Sequence, residues 1–300
     1  MRSARLAFIC ILFLSAMAPR TVWCDNPHPA RPGSINYVEG QAAIGSETLD
    51  TTSIGSIELG KDQTLTTQAG KVEILLTPGV FLRVADNSSL KMVSPDLANI
   101  EVELAKGRAL IEVIDIHKEN YIRVDQNGAT VRLLKNGLYD FDADHSQVRV
   151  VKGEAEVRAG NQEVKFGDRH LVAITTGGPL KSRGFESRQY EDDFYRWSAL
   201  RSGYLEEASI DAARTYVSPG PGWYGPGWAG LGWYWNPWFG AYTFLPADGI
   251  FWSPFGWGFY SPIFVYRSPY FYGPHFPHPF GEFHGPYGHG YGTPGRRFHR

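Results

Sequence analysis

Cysteine is almost absent from this chain of 300 residues, with Cys10 and Cys24 its only two. Cys10 lies in an apolar leader, so a chain cut behind that leader keeps at most one thiol and no internal disulfide, and packing alone must hold it together. An excess of basic charge is also missing. The formal net charge is −2, which argues against a nucleic-acid partner, because such partners demand a basic patch. Beyond the leader no apolar run reaches the ~20 residues of a membrane-spanning helix. Pro and Gly interrupt every such stretch towards the C-terminus. Catalytic signatures are missing as well: G-x-S-x-G, H-E-x-x-H and C-x-x-C do not occur, and His117 beside Asp115 has no nucleophile near it in sequence. No enzyme, cofactor or metal centre is therefore expected.

What is present begins with MRSARLAFICILFLSAMAPR. Arg2 and Arg5 precede the apolar run Leu6 to Leu14, and Ala16-Met17-Ala18 is a small-x-small site. This is the layout of a secretory signal peptide, assigned to residues 1–24. Pro19 is a poor residue after a cut, so cleavage behind Cys24 competes, and Thr21-Val22-Trp23-Cys24 is a weak lipobox. The expectation is export to the periplasm, the outer envelope or the outside.

Composition then shifts twice. Residues 33–180 are rich in Val, Ile, Leu and Thr with Gly punctuation, 186–216 read as a helical arm, and 217–300 are Gly, Pro and aromatic. In the first zone apolar residues alternate: Val72, Ile74, Leu76; Val80, Leu82, Val84; Ile100, Val102, Leu104; Ile122, Val124; Val148, Val150; Val164, Phe166. Period 2 over four to six residues means half-buried strands. Turns are expected at Thr77-Pro78-Gly79, Asp86-Asn87, Gln126-Asn127-Gly128 and Asn136-Gly137. GKVEILLTPGVFLRVADNS from Gly70 aligns without gaps with GATVRLLKNGLYDFDADHS from Gly128. A shorter element recurs as VEGQAAI at Val38, AKGRALI at Ala105 and VKGEAEV at Val151. The fold class expected is all-β: an internally duplicated domain, either a solenoid-like β-roll or a sandwich, followed by a short helical arm and a low-complexity tail.

The segment from Asn136 to Ile174 resembles the FecR domain family. The residues that carry the likeness are Gly137, Tyr139, Phe141, Val148, Val150, Gly153, Ala155, Val157, Phe166, Gly167 and Asp168. The resemblance implies an extracytoplasmic all-β domain over roughly 35–175. In the best-known members that domain relays a signal from an outer-membrane transporter to a sigma factor, and those members carry a cytoplasmic arm and one membrane span. This sequence shows a leader in place of both, so the anti-sigma role is not carried over. A non-catalytic, envelope-associated binding or scaffold module is expected. A sensor component of a sigma/anti-sigma pathway and a polysaccharide-binding protein are the alternatives.

In the helical arm, Phe194, Trp197, Leu200, Tyr204 and Ala208 fall near one face, which reads as a helix packed on the β domain. Glu191, Asp192 and Asp193 stand at its start, where the macrodipole favours acids, and Gly203 weakens it. Residues 219–300 hold 27 aromatics, 17 Gly and 13 Pro with only six charged side chains and no Lys. Two G-x-G-x-x-G matches, at Gly220 and Gly225, lack the strand and helix that a dinucleotide site needs. His275, His278, His284 and His289 are irregularly spaced among Pro and Gly, and Asp140, Asp142 and Asp144 read as one solvated strand face rather than a calcium loop. Three uses of the tail stay open: wrapping the β domain; adhesion to itself, to a membrane interface or to wall material; or sugar stacking. The candidate binding residues are Trp233, Trp235, Trp238, Trp252 and Trp257, with an envelope protein or polysaccharide as partner.

Overall fold

The computed structural model describes residues 29–117, 119–175, 178–217 and 230–267. The leader, the four tail histidines and both G-x-G-x-x-G matches lie outside these residues, apart from Gly230. The described chain is mostly β. Strand β1 (Ile35–Ile44) and β2 (Glu47–Leu49) form a first hairpin, and β3 (Thr64–Thr77) is the longest strand. There follow β4 (Val80–Val84), β5 (Ser89–Asp96), β6 (Asn99–Lys106), β7 (Arg108–Val113), β8 (Tyr121–Gln126), β9 (Ala129–Leu133) and β10 (Gly137–Asp142). The roll is completed by β11 (Gln147–Lys152), β12 (Glu154–Ala159), β13 (Gln162–Gly167), β14 (His170–Ala173) and β15 (Ser182–Gly184).

All fifteen belong to one sheet, in the order β13-β12-β9-β8-β6-β5-β3-β4-β7-β10-β11-β14-β15, with β1 on the other edge of β3 and β2 beyond it. Every pair is antiparallel except β6 with β8. Strand β3 joins the two halves: Thr64–Thr66 pair with β5, whereas Val72–Thr77 pair with β4. The sheet curls until β13 lies against β14 and β15, and it is nearly closed. The enclosed face is the core. It gathers Val72, Ile74 and Leu76 with Leu82, Val102, Val124, Tyr139, Phe141, Val150 and Phe166, the inward members of the alternating runs.

Two of the three copies of the recurring Gly element mark corners, whereas the first, with Gly40 (φ 68°), lies inside β1 at a register shift against β3. Gly107 (φ 77°) separates β6 from β7, and Gly153 (φ 106°) separates β11 from β12. A Cβ on Gly107 would stand 2.2 Å from Ser88 Oγ, and one on Gly153 would stand 2.5 Å from the Tyr139 hydroxyl. Both positions therefore need a residue that accepts positive φ and leaves no side chain in the way. The family-pattern residues meet at the second corner. The Tyr139 hydroxyl donates to Lys135 O and accepts from Glu154 N at 3.2 Å, and Asp168 Oδ1 accepts from Gly153 N at 2.7 Å.

Asn127 (φ 52°) and Gly128 (φ 76°) make the expected two-residue turn between β8 and β9. Asn136-Gly137 does not turn a hairpin. Strand β9 pairs with β8 and β12, while β10 pairs with β7 and β11. Asn136 instead bridges to the end of β7, donating from Nδ2 to Ile114 O at 2.8 Å and accepting Ile116 N at 3.0 Å. The two sequence copies are thus used differently: β3 and β4 form a hairpin, β9 and β10 separate, and β4 and β10 flank β7.

Helix α1 (Asp193–Val217) reaches the outer face of the sheet through Arg201, which bonds Glu73 of β3, and Ser202, which bonds Glu112 of β7. Asp192 Oδ1 accepts from Tyr195 N at 2.9 Å and caps the helix. Its buried face carries Phe194, Ser198, Arg201, Ser202, Leu205, Ala208 and Ala212. The face read from the sequence is rotated relative to this one: Leu200 is 72% exposed and Tyr204 39%. The cause is the surface beneath, where charged groups on the sheet draw Arg201 and Ser202 inward. Within the segment read as a low-complexity tail, residues 230–267 fold. Hairpins β16 (Gly232–Asn236) with β17 (Ala241–Leu245) and β18 (Ile250–Trp252) with β19 (Gly258–Tyr260), then α2 (Pro262–Arg267), pack on α1 and the roll. No helix among the described residues is long and apolar enough to cross a membrane.

Candidate functional site

The outward residues of β3, β4 and β7 alternate with the core residues, and alternation alone would put them in water. Glu73, Arg83 and Glu112 are nevertheless fully buried, each at 0% exposure. Arg83 Nε donates to Glu73 Oε2 at 2.9 Å, and its Nη1 stands 2.7 Å from Glu112 Oε2. Arg201 from α1 adds a bond from Nη2 to Glu73 Oε1 at 2.9 Å. Ser202 donates to Glu112 Oε1 at 2.6 Å, and Ser253, just beyond β18, bonds the same oxygen. Asn36 of β1 donates to Glu73 at 3.0 Å and clasps the backbone of Tyr242, accepting its N–H at 2.7 Å and donating to its carbonyl at 3.0 Å. Two carboxylates and two guanidiniums balance in charge here. Burial opposes ionisation of Glu73, but Arg201 and Arg83 outweigh it and hold its carboxyl below the usual range. Burial likewise opposes the charge on Arg83, which Glu112 and Glu73 overcome.

A second ionic cluster lies at the start of α1. Arg108 grips Asp140 with two bonds of 2.8 and 2.9 Å and also pairs with Asp192. Arg149 bonds Asp140 at 2.7 Å and Asp142 at 3.1 Å, and His145 Nδ1 stands 2.9 Å from Asp142. The solvated-face reading of these aspartates is therefore corrected: Asp140 and Asp142 are buried, because β10 lies inside the sheet with Arg108 and Arg149 against its outer face. Asp144 accepts from Gly107 N at 3.0 Å. Burial raises the cost of charge on Asp142, and the bonds from His145 and Arg149 outweigh it and lower its pKa. Among the described residues no group of His, Cys, Asp and Glu is arranged to hold a metal ion.

The five tryptophans do not form one surface. Trp233 sits edge-on against Phe81 of β4 at 4.9 Å and near Phe244 at 6.3 Å, so it covers the roll. Trp235 meets Tyr242 at 5.1 Å. Together with Pro29, Pro32, Pro78 and Leu97 these two tryptophans and Tyr242 line a groove of about 440 Å³. Trp238 is 88% exposed at the hairpin tip. Trp257 lies over Gly203, whose Cβ would stand 3.0 Å from the ring, and donates to Ala199 O at 3.1 Å. Trp252 is 46% exposed at the end of β18. Wrapping thus accounts for most rings in residues 230–267, because the outer sheet face offers Leu75, Phe81 and Ile114 for them to cover.

The ionic seam went unforeseen. Its sequence signal was a single charge inside each apolar run, as in Val72-Glu73-Ile74, Leu82-Arg83-Val84 and Ile111-Glu112-Val113. A half-buried strand facing water has the same pattern.

A search of curated proteins found no match. Two crystal structures of a "putative anti-sigma factor" from Parabacteroides distasonis are similar to this chain. They share 15% and 14% identity, both with a TM-score of 0.37, and the alignments cover 42% of this chain and 60% of that one. This chain thus spans less than two thirds of their length. The family model described as FecR protein matches residues 62–158. That span runs from the turn before β3 to the end of β12 and contains both Arg83 and Asp140. Residues 62–158 of this chain are accordingly similar to the FecR domain family.

Proposed function

We propose that this protein is an exported, non-catalytic component of envelope signalling. In this reading the FecR roll, capped by α1 and the aromatic hairpins, is a rigid body that receives a partner. The family match over 62–158 carries the proposal. The buried Glu73, Arg83, Glu112 and Arg201 set supports the rigid-body part, since it ties the sheet to α1 through charges that would be left uncompensated if the helix lifted away. The ionisable side chains nearest the centre are engaged with one another, which suits a structural task. Export and signalling are tested separately. Alkaline phosphatase fused behind Arg300 should be active only when residues 1–24 are kept; activity without them would overturn export. Deleting the protein in its host should shift transcription of a sigma-factor-dependent gene set, and an unchanged transcript profile would overturn the signalling role.

Glycan binding is a second reading, favoured by the groove of Trp233, Trp235 and Tyr242. The rings of Trp233 and Trp235, partly open to solvent, can stack on a sugar face. Titration with neutral oligosaccharides should quench tryptophan fluorescence in the parent and not in Trp235→Ala. Equal quenching in both would remove this groove from consideration.

A further inference from the structure

The last edge of the sheet has a different electrostatic character from the rest. Along the roll, basic side chains are largely committed: Lys71 to Glu39, Arg123 to Glu101, Lys135 to Glu154, Arg158 to Glu156 and Glu163. Between residues 168 and 188 that pattern stops. Arg169, Lys181, Arg183 and Arg188 are exposed, and none of them has an acidic partner among the described residues. Asp168, beside them, is committed to Gly153 N. Glu186 is the one carboxylate on this rim without a bond among the described residues.

Two of these cations, Arg169 and Arg183, line a cleft of about 560 Å³, together with His170, Leu171, Phe185 and Tyr190 and with the carboxylate Glu186 at its rim. That volume suits a ligand of one or two sugar rings, within the ~300–1,000 Å³ usual for small-molecule sites. Phe185 and Tyr190 meet edge to face at 4.8 Å and form an aromatic wall. Tyr190 is braced from behind by the Arg149 guanidinium, 4.6 Å from its ring. His170 Nδ1 lies 2.9 Å from Asp168 O, so that nitrogen carries the proton and Nε2 is left as the ring's other polar atom.

Arg169 is the most telling residue. It holds φ 57°, a left-handed turn position that Asn or Gly fills at lower cost. Charged side chains on an edge strand also deter unwanted strand pairing. That role asks nothing of a turn residue and does not account for a cleft with an aromatic wall.

We propose that this cleft binds an anionic sugar unit of a polysaccharide, such as a uronate. The Arg169 and Arg183 guanidiniums would take its carboxylate, and the Phe185 and Tyr190 wall would take its ring. Guanidinium forks match carboxylate geometry, and the electronegative face of an aromatic ring attracts the C–H face of a sugar. The site is separate from the tryptophan groove and does not depend on the signalling role.

The test uses the chain lacking residues 1–24 and isothermal titration with tetragalacturonate. Binding is expected, weakening as salt rises, with a loss of ten-fold or more in Arg169→Asn/Arg183→Gln. Asn at 169 tolerates the turn, and unchanged thermal unfolding confirms that this variant folds. Arg132→Gln, on the opposite half of the sheet, should bind as the parent does. No binding at millimolar tetragalacturonate would overturn the proposal, as would equal binding by the double variant. Equal or tighter binding of hexaglutamate would show an acidic-peptide site and overturn it too.

Discussion

Replacing Arg83 by Met tests whether the ionic seam binds the helix to the sheet. Met nearly matches the apolar stem of Arg83, so little cavity energy is expected. The loss is electrostatic. Glu73 would keep Arg201 and Asn36, whereas Glu112 would keep only the hydroxyls of Ser202 and Ser253. A fully buried carboxylate would be left without a cation, and removing one member of such a pair costs about 3–5 kcal/mol. Urea unfolding at pH 7, followed by tryptophan fluorescence with m-values compared, reads this directly. Adding Glu112→Gln to Arg83→Met restores the charge balance and should recover at least half of the loss, which keeps the test usable if the single variant folds poorly. Glu73 adds a pH signature. Its folded pKa is lowered, so its contribution is complete above its unfolded value of about 4.3 and is lost as pH falls through the folded value. The gap between parent and Glu73→Gln should therefore shrink in acid. An Arg83→Met protein within about 1 kcal/mol of the parent would refute the reasoning, since exposed pairs reach only that level.

Two further tests follow. In Glu206 of α1, burial first and Glu207 second push the carboxyl up to about 7. The folded state then holds the proton over a range where the unfolded state has lost it, so stability falls as pH rises from about 4.3 to 7. Glu206→Gln should match the parent at pH 4 and exceed it by about 1–2 kcal/mol at pH 8, after allowance for partial solvent screening; a gap independent of pH would contradict this. Trp233→Ala should cost about 2–4 kcal/mol, because it strips the cover from Phe81. Trp238→Ala should stay within about 0.5 kcal/mol, since its ring is 88% exposed. Equal costs for the two would mean that the hairpin does not pack as described.

Strand positions were legible because burial on one face imposes period 2, and Val72, Leu82, Val102, Val124 and Val150 all point into the core. The Asn127-Gly128 turn was legible for a local reason, the tolerance of both residues for positive φ. Asn136-Gly137 has the same local chemistry and a different outcome, since β10 is claimed by β7 and β11. A helix after the sheet was legible, but α1 begins at Asp193 rather than at 186, and its buried face was not legible. Its partner is a charged surface, so Arg201 goes in and Leu200 stays out. The cleft beside Arg169 left no trace in sequence, because Arg169 and Arg183 meet only through the pairing of β14 with β15.

The sequence by itself determined the near-absence of thiol, the alternating strands, the Gly-marked corners and the likeness to the FecR family. Each of these depends on side-chain size, period or backbone tolerance within a few residues. The tertiary structure alone decided that the outer face of β3, β4 and β7 is dry, that its charges pair with α1, and that the aromatic hairpins are mostly cover. Those outcomes depend on which surfaces meet across separations such as that of Glu73 and Arg201. A charge facing water and a charge facing a partner look the same until the partner arrives.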